Sequence, residues 1–174
     1  LGQAKRIVFF DTLLEQLDAD EVEAVLAHEL GHFRRRHVQK RLLVMAGFSL
    51  AGFALLGFLG GQPWFFTQLG VGHPSGHAAL VLFVLVMPAF TFWLTPLASL
   101  YSRRHEFEAD DYAVEYSDGT ALVSALVKMY ADNASTLTPD PLYSAVYDSH
   151  PPAPIRIAHI EEVMAGREMK HAAA

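Results

Sequence analysis

From Leu42 to Ser102 the chain contains no Asp, Glu, Lys or Arg, and this single gap limits what the protein can be. Leu42 to Gly61 is about 20 residues without charge, enough to cross the hydrocarbon core of a bilayer as a helix. Gly60, Gly61 and Pro63 close that run. Residues 62–77 then read as a loop carrying interface-type aromatics at Trp64, Phe65 and Phe66. Ala78 to Tyr101 reads as a second span, bent by Pro88 and Pro96. Two successive uncharged runs of this length favour a transmembrane hairpin over a buried hairpin in a soluble core.

The flanks orient that hairpin. Arg34, Arg35, Arg36, Lys40 and Arg41 precede the first span, Arg103 and Arg104 follow the second, and the connecting loop has no basic residue. By the positive-inside rule both polar ends lie on the cytoplasmic side. The expectation is an integral membrane protein with its polar face cytoplasmic, of the bacterial inner membrane or endoplasmic reticulum type. All formal charge, net −6, sits in those ends. That acidic balance argues against a nucleic-acid partner. With no cysteine, disulfides and thiolate metal sites are excluded, so any metal must be held by nitrogen and oxygen.

The first polar end, residues 1–41, reads as a short strand, Arg6 to Phe10, followed by a helix. Asp18 and Glu21 have capping-box spacing, and Val22, Val25 and Leu26 recur with helical period. No proline lies between Asp18 and Gly61, which predicts a helix running past Arg36 with Gly31 as its weak point. The second polar end, residues 103–174, reads as helices over Glu106 to Tyr116 and Thr120 to Ala131, divided at Asp118-Gly119. A turn rich in proline follows (Pro139, Pro141, Pro151, Pro152, Pro154), then a last helix over Ile155 to Gly166.

On the first helix His28 and His32 are four residues apart, so their imidazoles share a face one turn apart and can bind one Zn²⁺. Glu29, beside the first histidine, is placed to take a proton from a zinc-activated water. With nine histidines in the chain this pattern can arise by chance, and catalytic zinc needs a third protein ligand. Candidates follow the second span. Glu106 and Asp110 are four apart and share a helical face, giving one carboxylate for the metal and one to orient a ligand histidine. Glu108 points away, toward Arg104 and Asp111. His73 and His77 share the four-residue spacing, but Pro74 and Gly76 intervene, and they read as loop residues.

The segments Phe10-Asp11-Thr12-Leu13-Leu14, Ala24 to His32, Ser102-Arg103-Arg104 with Glu106-x-x-Ala109-Asp110, and Ser149-His150-Pro151-Pro152 together resemble the Ste24-type CAAX prenyl proteases and their HtpX-like bacterial relatives in the M48 family. The resemblance covers nearly the whole chain in the right order. It implies a mainly α, integral-membrane, gluzincin-like metallopeptidase core over residues 1–174, with a transmembrane hairpin at 42–102 and a short N-terminal β segment. It implies one Zn²⁺ per chain held by His28, His32 and Glu106, Glu29 as general base and Asp110 behind the ligands. It also assigns His150 to the oxyanion and Arg156 to anchoring the site or a substrate carboxylate. Ile155 stands where the family often has an acidic residue. Family members carry further membrane helices ahead of the strand, so a chain opening at Leu1 without Met reads as truncated at its N-terminus. The expected substrates are peptides or proteins, prenylated or membrane-associated ones among them, acted on at the lipid bilayer. Two alternatives accompany this reading: an HtpX-like quality-control protease, and a non-catalytic membrane protein that keeps its zinc.

Overall fold

The computed structural model describes residues 8, 11–132 and 140–172. The expected strand falls almost wholly outside them, and among the described residues the chain is helical with no strand. Two compact units result: one from residues 1–37 and 98–174, the other from residues 38–97.

In the first unit α1 (Asp11–Gln16) leads into α2 (Ala19–Arg34). The capping box forms: the Asp18 side chain accepts from the Glu21 N–H at 3.0 Å, and the Asp18 N–H donates to Glu21 Oε2 at 2.9 Å. Glu21 is buried because Ser124 and Lys128, each 2.6 Å away, complete its shell.

The helix does not run past Arg36. It ends at Arg34, Arg35 caps it, and Arg36 takes φ 58° before α3 (His37–Gly60) begins. A left-handed arginine costs about 1–2 kcal/mol and gives no glycine or proline signal in the sequence.

α6 (Thr95–Tyr116), α7 (Gly119–Asp132), α8 (Pro141–Tyr147) and α9 (Ala153–Ala172) complete this unit. The predicted proline-rich turn therefore contains a helix. Pro141 stands at its N-terminus, where a missing N–H is harmless, and Asp140 caps it by accepting from the Leu142 and Tyr143 N–H groups. The core joins Ala24 and Ala27 of α2, Ala113 and Val114 of α6, Leu122 and Leu126 of α7 and Ile160 of α9. Its small residues let helices approach closely. The guanidinium of Arg167 caps the end of α6 at the Val114 carbonyl, and His159 meets Asp111 at 2.8 Å.

The second unit contains the body of α3, α4 (Pro63–Gln68) and α5 (Gly76–Thr91). Mean hydropathy reaches 2.3 in α3 and 2.2 in the stretch from Gly76 onward, and both are long and apolar enough to cross a membrane. Many of their large side chains are exposed, among them Leu43, Phe53, Leu85 and Phe90. The expected loop forms α4, in which Phe65 and Phe66 are buried against Ala79 while Trp64 is half exposed. His73 and His77 are exposed. α5 continues through Pro88, whereas Phe92–Leu94 tighten into a 3₁₀ turn. Pro96 explains the tightening, since it can offer no N–H to the Phe92 carbonyl, which bonds the Thr95 N–H instead.

Candidate metal centre

α2 presents His28 and His32 one turn apart, and α6 brings Glu106 against them. A close approach makes this possible. A methyl group on Gly31 would meet the Ala109 Cα and the Tyr112 Cβ at 3.0 Å, so any larger residue between the two histidines would push the helices apart.

The ligand atoms converge. His28 Nε2 lies 3.1 Å from His32 Nε2 and 3.7 Å from a Glu106 oxygen, and His32 Nε2 lies 3.5 Å from the other Glu106 oxygen. Zinc bonds of 2.0–2.1 Å in tetrahedral geometry would space ligand atoms about 3.3–3.4 Å apart. The observed separations bracket that figure. No other group of three or more His, Asp or Glu side chains among the described residues is arranged to hold a metal.

Proton placement strengthens the fit. His28 Nδ1 lies 2.9 Å from Asp110 Oδ1, and an ionised carboxylate only accepts, so Nδ1 carries the proton and Nε2 presents its lone pair. A longer 3.4 Å approach of Arg156 to the same nitrogen is subordinate. Burial, then the nearby His28 and His37, press the His32 pKa down from 6.5 to about 3. His32 is therefore neutral, as a metal ligand must be.

Behind the ligands, Arg156 of α9 grips Asp110 with two bonds, of 2.9 and 2.5 Å, and its third nitrogen lies 3.7 Å from Glu106. Burial alone would depress the Arg156 pKa, but the bonds to Asp110 outweigh it and the net shift is upward. With 7% of its surface exposed and its fork filled by Asp110, Arg156 has the geometry of an anchor rather than of a substrate contact. Ile155 is half exposed, and the ion pair of its neighbour forms across helices instead.

His150 reaches the same centre from the turn after α8. Its Nε2 lies 3.4 Å from Glu106 Oε1 while its side chain is 61% exposed, so it faces the open side. Arg103 holds that turn by donating to the carbonyls of Ser144 and Asp148, Ser99 donates to the Val146 carbonyl, and Tyr130 donates to the Pro151 carbonyl at 3.2 Å. Glu29 is exposed on α2 beside His28.

Two residues here were not singled out from the sequence as part of the site. His37 Nδ1 lies 2.9 Å from His32 Nδ1, and its Nε2 lies 3.1 Å from Glu108. Glu108 does pair with Arg104, at 2.9 Å, but it also faces inward to His37. The only signal for His37 was a histidine five residues past His32, a spacing that no regular helix turns toward its neighbour.

Known proteins resemble this chain over most of its length. A model of Peptidase family M48 matches residues 1–164. The CAAX prenyl protease 1 homolog of Dictyostelium discoideum is 32% identical over 169 residues, covering 96% of this chain and 39% of that protein. The CAAX prenyl protease 1 of Saccharomyces cerevisiae is 31% identical over 175 residues, covering 92% and 39%. The uncharacterized metalloprotease YhfN of Bacillus subtilis is 34% identical over 169 residues, covering 93% and 39%. The crystal structure of Ste24p from S. mikatae superposes with a TM-score of 0.79 at 30% identity, over 91% of this chain and 39% of that one. The chain thus spans about two fifths of the length of the relatives it matches. It belongs to peptidase family M48.

Proposed function

We propose that this chain carries the active centre of a zinc-dependent membrane endopeptidase. The observation that carries the proposal is the convergence of two imidazole nitrogens and one carboxylate at 3.1–3.7 Å. With Nε2 of both histidines bare, as the Asp110 contact favours for His28, these atoms offer three lone pairs to one cation.

His28, His32 and Glu106 would hold the metal. Zinc bound there would supply a Lewis acid able to polarise the scissile carbonyl and acidify the attacking water. Glu29, exposed beside His28, takes the proton of that water and returns it to the leaving amine. His150, on the open side, donates to the developing oxyanion. Asp110 and Arg156 keep His28 in the tautomer that leaves its Nε2 free.

Membrane location is supported by the two long apolar helices and by the family. The basic residues flanking both ends favour a cytoplasmic catalytic face. The relatives named CAAX prenyl protease favour C-terminal CAAX peptides as the substrate class.

Glu29→Gln tests the assignment. The variant should bind zinc as the wild type does yet fail to cleave a quenched peptide, and wild-type cleavage should stop with chelator and return with zinc. Cleavage by Glu29→Gln at the wild-type rate would refute the mechanism. A wild-type chain that cleaves but ignores chelator would refute the metal.

A further inference from the structure

We propose that His37 and Glu108 form a relay that positions His32, doing for the second ligand what Asp110 does for the first. The inference rests on the zinc reading above and adds two residues to it.

The argument is a count of protons along a chain of contacts. Glu108 is a carboxylate and can only accept, so the His37 nitrogen 3.1 Å from it must donate. That nitrogen is Nε2. In a neutral imidazole the other nitrogen, Nδ1, is then a bare acceptor. It lies 2.9 Å from His32 Nδ1, which must therefore hold the proton of that contact. His32 Nε2 is left with its lone pair facing His28 and Glu106. An acceptor two residues removed from the metal thus selects the only His32 tautomer able to bind it.

The relay is held rigidly. His37 is 4% exposed, and its ring stacks on His105 with centroids 4.1 Å apart and planes 10° from parallel. Tyr101 packs edge-on against His105. Arg104 donates to the second Glu108 oxygen at 2.9 Å, fixing the carboxylate. The left-handed turn at Arg36, unfavourable for an arginine, is what brings His37 back to His32, three residues past the end of a helix that would otherwise carry it away.

As a positioning pair, His37 and Glu108 are tested by zinc affinity rather than by turnover. The full chain is stripped of metal, and its zinc dissociation constant is measured by chelator competition. His37→Phe keeps the stacked ring and removes both nitrogens, and should weaken zinc about 10–100-fold. Glu108→Leu, at a partly exposed site, should weaken it less, because His37 can still adopt the right tautomer unaided. The double variant should bind no more weakly than His37→Phe alone, since both changes break one chain. Losses that multiply in the double variant, or Glu108→Leu binding as tightly as wild type, overturn the relay. Should His37→Phe fail to fold, Glu108→Leu decides alone. A wild-type chain that binds no zinc overturns the metal reading and the relay with it, whereas wild-type binding with unchanged variants overturns the relay only.

Discussion

Gly31 and Ala109 stand so close that a methyl group on the former would lie 3.0 Å from the Cα of the latter. The neighbour is backbone, so no rotamer change can relieve the contact. Gly31 sits between the two histidines on α2, and Ala109 is flanked on α6 by Glu106 and Asp110. The approach therefore sets the distance between the halves of the metal centre. Gly31→Ala should force α2 and α6 apart by a few tenths of an ångström. The expected cost is about 1–3 kcal/mol of stability, with weaker zinc binding. Denaturant unfolding and chelator competition on the same preparation check both. Unchanged zinc affinity in a variant of lowered stability would separate packing from the site.

Arg156 and Asp110 form a buried ion pair with little solvent on either side chain. Removing one partner strands the other charge. Arg156→Met should destabilise the chain by about 3–5 kcal/mol, and zinc affinity should fall as His28 loses its fixed acceptor. Arg156→Met with Asp110→Asn should recover stability, because no buried charge is left unpaired, but not the metal affinity. Recovery of both would mean that the pair serves packing and not His28.

Acid stability should carry the signature of Glu21. Its bonds to Lys128 first and Ser124 next hold its pKa near 2 instead of 4.5. The depressed folded value means the contribution is full above about pH 4.5 and is lost as pH falls toward 2. Glu21→Gln should cost about 1–3 kcal/mol at pH 7, toward the lower end because Lys128 is partly exposed. The gap between wild type and variant should close between pH 4.5 and 2. Unfolding midpoints of the metal-free chain across that range provide the measurement, and a gap independent of pH would place the effect elsewhere.

What could be read from the sequence was what helix periodicity encodes locally. His28 with His32 and Glu106 with Asp110 are both four-residue pairs, so each half of the centre was visible without the other. The capping box at Asp18 and Glu21 is local for the same reason. The uncharged interval likewise marked both apolar helices by composition alone. The misses depended on partners beyond a helical turn or on a residue type that carries no turn signal. Gly31 read as a helix weak point because the residue that demands it is 78 positions away, on α6. His37 read as part of a continuous helix because the break falls on Arg36, a residue type that carries no turn signal. Glu108 was assigned to Arg104, its partner four residues back, and its second partner lies 71 residues upstream. The segment around Trp64, Phe65 and Phe66 read as a loop because the packing of the two phenylalanines against Ala79, which supports α4, lies outside that segment.

The position of His150 is similarly remote in origin, which makes it open to test from a distance. Nothing in Ser149-His150-Pro151-Pro152 itself points the imidazole at Glu106; the turn is tied down by Arg103 on α6 and Tyr130 on α7. His150→Asn should lower kcat about 10²–10³-fold, the loss associated with one oxyanion donor, while leaving zinc bound. Arg103→Met touches neither the metal nor the substrate, yet it frees the turn. A displacement of about 1 Å can cost up to 100-fold, so its kcat should fall by a smaller factor than in His150→Asn, again with zinc retained. In the double variant the losses should not multiply, because Arg103 acts through His150. Single-turnover rates and zinc content of the four forms decide it. A multiplicative loss would show that Arg103 supports the centre by a route other than His150.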